Sequence, residues 1–222
     1  MSVVVVGAGS AAGQAVCAAL VEAGHSVAAV DLREPDVPGT QGYAVDATDP
    51  AAVAALAASV SAGGPVEGLV HLIGGWRGGK AFTDNTDEDW AFLSSMLMDT
   101  LRHTTRAFHD AVRSSQGRVV IVSAEAAGAP TAGNANYATA KAAAEAWMQG
   151  LADSFADSGA AAVTLVVKAL VTPQMREAQP ERTFPGFTDV ADLGAEIARV
   201  VGSREDGLNG ARLPLSRPPA AS

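Results

Sequence analysis

Apolar positions along this chain fall into short β-branched runs separated by longer stretches of helical period. Residues 2–6 (SVVVV) and 161–167 (AAVTLVV) have almost no polar position, the pattern of strands buried on both faces. Residues 26–30 (SVAAV), 43–46 (YAVD), 66–73 (VEGLVHLI) and 118–122 (RVVIV) read as four more strands. The stretches between them predict helices. One covers 11–23 and is closed by Gly24; a second starts at Pro50 with Asp49 as its cap. A third runs from about 87 to 113, where Thr86 and Asp89 resemble a capping box. A fourth covers 136–156, and a fifth runs from Thr188, its cap, to Val201, where Gly202 ends it. "ARLPLS" (211–216) fits a last, short edge strand, because Pro214 does not suit a central one.

Strands that alternate with helices imply a parallel sheet with helices on both faces. No internal repeat and no linker divides the sequence. The expectation is one doubly wound α/β domain of about seven strands spanning residues 1–222, with 215–222 a frayed tail.

Composition narrows the function classes. The hydrophobic fraction of 48% supplies a sizeable core. A net charge of −9 opposes phosphate backbones and anionic lipid, so neither nucleic acid nor membrane is an expected partner. Cys17 is the single cysteine, so an internal disulfide is ruled out, and its setting (AVCAAL) points to a buried thiol. No apolar run reaches membrane-spanning length, and the opening "MSVVVVGAGS" lacks the basic stretch of a signal peptide. A cytoplasmic location is expected.

The first chemical signal is "VVVVGAGSAAGQA". Gly7, Gly9 and Ala12 hold the spacing G-x-G-x-x-G/A, with Gly13 next, between a strand and a helix. A tight turn there lets backbone N–H groups and the helix N-terminus approach a pyrophosphate, as in a Rossmann-type fold. Asp31 ends the second strand 18 residues after Gly13, where a carboxylate accepts hydrogen bonds from ribose hydroxyls. It would repel a 2′-phosphate, so NAD(H) is favoured; Arg33 nearby leaves NADP(H) open. A capped turn and a solvated Asp would use the same residues without a ligand.

The second signal is Tyr137 and Lys141, spaced i, i+4 and so on one helix face. A free phenol has a pKa of about 10 and is a poor acid–base group at neutral pH; an ammonium held beside it favours phenolate. Such a Tyr can hand a proton to an atom that receives hydride.

Taken together these residues resemble the short-chain dehydrogenase/reductase family over nearly the whole chain. The matching stretches are "GAGSAAG" (7–13), "VDATD" (45–49), Y-x-x-x-K (137–141) and "VTPQM" (171–175). The resemblance implies an NAD(P)-dependent oxidoreductase. Tyr137 and Lys141 would be catalytic, Lys141 would also hold the nicotinamide ribose, and Asp46 would lie near the adenine. Ser10, Leu32, Ala47, Gly74, Gly75 and Thr172 would complete the dinucleotide site. The resemblance also implies a homodimer or homotetramer formed through the two long helices. Residues 174–187 (QMREAQPERTFPGF) would be the substrate flap.

Departures from the family pattern are informative. The serine usual thirteen residues before the Tyr is Ala124 here, and Ser123 stands one residue early. In a regular strand Ser123 points to the opposite face, unless a bulge brings it round. "HLIG" (71–74) replaces the usual N-N-A-G, Leu97 stands where an Asn is expected, and Lys168-Ala169 replaces a Pro-Gly pair. These departures, with "GGWRGG" (74–79), resemble the dihydropteridine reductase branch. That branch places Trp76 beside the substrate ring, with Ala124 on the substrate side; a loop Trp covering the core is the plain alternative.

Three readings stay open. The chain is an NADH-dependent reductase of a conjugated C=N, quinone or enone; or an ordinary alcohol/ketone oxidoreductase using Ser123; or a dinucleotide-binding protein without catalysis. The histidines 25, 71, 103 and 109 have no metal-ligand spacing and read as structural. Trp90, Leu93, Leu97, Leu101 and Phe108 form a stripe that suits core or a subunit interface.

Overall fold

The computed structural model describes residues 1–204 and 206–215. The β-branched runs become the strands of one sheet: β1 (Ser2–Val6), β2 (Ser26–Asp31), β3 (Thr40–Ala44), β4 (Val66–His71), β5 (Arg118–Ala124), β6 (Ala161–Val167) and, later in the chain, β9 (Arg212–Pro214). All are parallel, in the order β3-β2-β1-β4-β5-β6-β9. The chain leaves β1 in one direction and returns to its other side at β4. That reversal opens a crevice beyond the carboxyl ends of these strands.

Side chains alternate across each strand and sort the core into two layers. Val4, Val6, Val119 and Ile121 pack under α2 (Pro50–Ala62), α4 (Thr100–Ser114) and α5 (Ala135–Ser154). Val3, Val5, Val120 and Val122 pack under α1 (Ala11–Glu22) and α7 (Val190–Gly202). Cys17 lies fully inside the second layer, where burial pushes its thiol up to about 12. It behaves as a small apolar group.

Four expectations need correction. The strand expected at 43–46 is β3, Thr40–Ala44; backbone pairing with β2 draws in part of the Gly-containing loop and leaves Asp46 outside. The helix expected at 87–113 is broken. It consists of α3 (Asp87–Ser94), a π-helical turn at Ser95–Asp99, and α4. Thr86 accepts the Asp89 N–H as expected, but the Asp89 side chain bonds Arg77 instead of closing a capping box. Thr188 lies in β8 (Thr188–Asp189), which pairs with β7 (Leu170–Val171), and Asp189 occupies the cap position of α7. The tail expected to fray lies, from residue 216 on, outside the described residues.

Four members of the expected stripe, Leu93, Leu97, Leu101 and Phe108, are core; Trp90 is 39% exposed. No helix among the described residues is long and apolar enough to cross a membrane.

Candidate active site

The glycine turn sits at the head of the crevice. Ser10 caps α1 by accepting the Gly13 N–H at 3.0 Å while its own hydroxyl donates to Gly7 O at 2.9 Å. A Cβ on Gly13 would lie 2.2 Å from Gly7 O, so the helix can descend onto the turn only with glycine at 13. The first N–H groups of α1, which have no intrahelical acceptor, therefore open at the crevice. Asp31 ties the turn to β2: Oδ2 accepts the Gly9 N–H at 2.9 Å and Oδ1 accepts the Leu32 N–H at 2.7 Å.

Two cavities share the wall Leu72, Ile73 and Gly74 and together form one trough. The first, about 380 Å³, is lined by Gly7, Ser10, Asp31, Leu32, Asp46, Ala47 and the end of α4 at Thr100. Asp46 is folded into an Asx turn, its Oδ1 accepting the Thr48 N–H and hydroxyl, and those bonds hold its carboxyl below the usual range. The second cavity, about 490 Å³, brings together Ala12, Gly75, Trp76, Ser123, Ala124, Tyr137 and Lys141. Thr172 lines neither; its hydroxyl caps α6 (Pro173–Ala178) by accepting the Met175 N–H.

Tyr137 and Lys141 come off the first two turns of α5, as their spacing requires. Lys141 is partly buried, donates to Val122 O at 2.8 Å, and has its Nζ 6.0 Å from the Tyr137 ring centroid. Burial pushes its ammonium down to about 8, with Glu145 opposing, and burial pushes the Tyr137 phenol above its usual value. This differs from the expectation of a phenol acidified by its neighbour: desolvation disfavours both charged forms.

Ser123 and Ala124 divide between the two faces of β5. Ser123 continues the Val119 and Ile121 side; its hydroxyl is buried and makes no hydrogen bond among the described residues. Ala124 continues the Val120 and Val122 side. β5 pairs with β6 in unbroken register through both residues, so no bulge turns Ser123 round.

A clasp of two loops forms one wall. Gly79 N–H donates to Gly133 O at 2.7 Å, Asn85 donates to Ala132 O and accepts the Asn136 N–H, and Asn136 donates to Thr86 O. Arg77 pairs with Asp89 at 3.1 Å and stacks 4.0 Å over the Phe92 ring. Between these anchors Trp76 stands 63% exposed at the cavity mouth, outside the core.

Two residues beside the site, His71 read as structural and Lys168 read as a departure from the family pattern, had no site role assigned from sequence. His71 is buried against α4, with Nε2 on the Thr100 hydroxyl and Nδ1 on the Thr104 hydroxyl; burial and the nearby Lys141 push it down to about 3, so it is neutral. The Thr pair at i, i+4 was the available signal. Lys168 lines the reaction cavity, and its signal was a lysine where the family pattern has proline. No group of three or more His, Cys, Asp or Glu among the described residues could hold a metal.

These residues fit a nicotinamide dinucleotide. The turn offers N–H donors and close approach, Asp31 offers a ribose acceptor, and Tyr137 and Lys141 stand at the far end of one continuous trough.

Solved structures share the fold. Sorbitol-6-phosphate 2-dehydrogenase from Erwinia amylovora is 22% identical, with a TM-score of 0.85 over 97% of this chain and 98% of that one. NAD⁺-bound xylitol dehydrogenase is 19% identical, with a TM-score of 0.81 over 97% of each chain. An NADPH-bound short chain oxidoreductase from Pseudomonas aeruginosa PAO1, containing an atypical catalytic center, is 20% identical, with a TM-score of 0.80 over 97% and 96%. None of the curated proteins matches. Residues 1–183 match the short chain dehydrogenase family, and the chain belongs to it, as an NAD(P)-dependent oxidoreductase.

Proposed function

We propose that this oxidoreductase is an NADH-preferring reductase of conjugated acceptors, a C=N, quinone or enone, of the dihydropteridine reductase type. One observation carries the reading: Ala124 stands where a carbonyl-polarising hydroxyl is usual, and the hydroxyl of Ser123, which also lines the cavity, is buried and has no hydrogen-bond partner among the described residues. A site without that helper suits an acceptor whose own conjugation spreads the arriving charge.

When bound, the dinucleotide supplies the hydride. Tyr137 supplies the proton to the receiving atom, so the acceptor gains one hydride and one proton. A phenol held above its ordinary pKa stays protonated at neutral pH, which suits the reductive direction, and it is a weak acid, which again favours activated acceptors. Lys141 holds the ribose and the Tyr137 side of the site. Asp31 selects NAD(H), because a 2′-phosphate beside its carboxylate is repelled. Trp76, fixed by the Arg77 and Gly79 anchors, stacks on the acceptor ring. The groove between α4 and α5, which includes Arg106, His109 and Trp147, supports pairing with a second copy as a homodimer or homotetramer. Light scattering on the purified chain tests that assembly.

The deciding assay is NADH oxidation with quinonoid dihydropterin beside a panel of quinones, imines and simple ketones. Turnover of the conjugated acceptors with little on ketones is expected. Ketone turnover that Ser123→Ala abolishes would move the assignment to an ordinary alcohol/ketone oxidoreductase. Tight NADH binding without turnover of any acceptor would leave a binding protein.

A further inference from the structure

At the opposite end of the sheet from the trough, where β5 and β6 begin, lies a separate cavity of about 350 Å³. Arg118, Arg204, Asp157 and Asp206 line it. The seven residues of β5 span about 20 Å at roughly 3.3 Å each, so this cavity is no part of the cofactor site.

Arg118 is the first residue of β5 and is only 3% exposed. Its Nη1 donates to Gln116 O at 2.8 Å, Gly117 O at 3.1 Å and Gly159 O at 2.9 Å, and its Nη2 donates to Ser203 O at 2.8 Å. A guanidinium has five N–H groups. Nη2 spends one of its two on Ser203, and Nε is buried with no hydrogen-bond partner among the described residues. Nε and Nη2 share one edge of the guanidinium, the kind of edge that grips a carboxylate or phosphate with two parallel bonds.

The four carbonyl partners leave the charge of Arg118 unbalanced. Burial, and then the guanidinium of Arg204, push it below the usual arginine value, so the charge that bears on it is a second cation. Arg204 is exposed. Asp157 and Asp206 are also exposed, and neither pairs with either arginine among the described residues. A water molecule takes about 30 Å³, so the cavity has room for a small organic body besides an anionic group.

The structure assigns to this cavity a small hydroxylated anion, a phosphate ester or a carboxylate. Its anionic group sits between Arg118 and Arg204, on the Nε and Nη2 edge as the guanidinium turns toward it. Its hydroxyls donate to Asp157 and Asp206. This site is independent of the acceptor reduced in the trough.

The test is calorimetry with glycerol 3-phosphate and with glycerate, using glycerol as the uncharged control. Each is added at constant ionic strength to protein saturated with NAD⁺, which occupies the glycine turn, where a phosphate would otherwise bind. Saturable one-to-one binding of at least one anion, with none of glycerol, is expected; the anion that binds more tightly names the class. Arg204→Gln alters an exposed side chain and should weaken that anion about tenfold, the loss of one charge-assisted hydrogen bond. Arg118→Lys keeps the charge, lacks the planar fork, and should weaken it at least as much. Both variants should bind NAD⁺ as the wild type does, which also reports their folding; if Arg118→Lys does not fold, Arg204→Gln decides alone. Failure of both anions to bind the NAD⁺ complex overturns the inference and leaves Arg118 a structural clamp. Binding of glycerol equal to that of the anions overturns it too, as does anion binding that Arg204→Gln leaves unchanged.

Discussion

Lys141→Met should make the protein more stable at neutral pH while removing its activity. Lys141 is partly buried, and desolvation lowers its pKa from 10.5 to about 8. At about 1.4 kcal/mol per pH unit, keeping that charge inside costs roughly 3 kcal/mol below pH 8. Methionine has a similar length and no charge, so it removes the cost. It also removes the bond to Val122 O, worth about 1 kcal/mol. The net gain is about 2 kcal/mol, or roughly 4–8 °C in Tm for a chain of this size. The pH dependence is the stricter part. Between pH 8 and 10.5 the unfolded chain holds a proton that folded Lys141 has released, so wild-type stability climbs with pH across that window. The advantage of the variant should therefore shrink from pH 7 toward pH 10. Tyr137 acts oppositely above pH 10, because the folded phenol keeps a proton the unfolded chain loses; that effect is common to both proteins. Urea denaturation at pH 7, 8.5 and 10 reads the difference. An advantage that is absent at pH 7, or equal at all three values, would refute the buried-charge reasoning.

Three further outcomes are expected. Ala124→Ser places a hydroxyl on the cavity side of β5 and should raise kcat/KM for simple ketones by roughly tenfold or more, measured by NADH oxidation. Gly13→Ala drives a methyl to 2.2 Å from Gly7 O; it should cost about 1–3 kcal/mol of stability and weaken NADH at least tenfold by fluorescence titration. Asp31→Ser removes the carboxylate proposed to meet the ribose and should raise the NADPH-to-NADH ratio of kcat/KM by about tenfold; an unchanged ratio would mean that Arg33 or the turn sets cofactor choice.

What could be read from sequence followed from periodicity. Fully buried runs such as Val3–Val6 admit one interpretation, and the one-residue offset of Ser123 fixes its face as soon as the strand is regular. What could not be read depended on partners distant in sequence. β3 begins at Thr40 because β2 offers hydrogen bonds there, a fact invisible in TQG itself. Asp89 is lost to the expected capping box because Arg77 claims it. The phenol of Tyr137 rises instead of falling because burial is a property of the packed helix, and the Tyr–Lys spacing reports only that the two side chains share a face. The Lys168 ammonium ties the end of β6 to the Pro185 carbonyl of a turn 17 residues later.

The π-helical turn at Ser95–Asp99 works as a rotary offset. Before and within it, Leu93 and Leu97 face Ala140 and Tyr137; after it, Thr100 and Thr104 face His71, and Leu101 and Phe108 face the sheet. One residue of helix corresponds to about 100° of rotation. Deleting a single residue here would straighten the helix and swing every side chain beyond it away from its present neighbour, stranding an imidazole that is now satisfied on both nitrogens. Length changes in this segment are therefore constrained far more tightly than its plain sequence, SMLMD, would suggest.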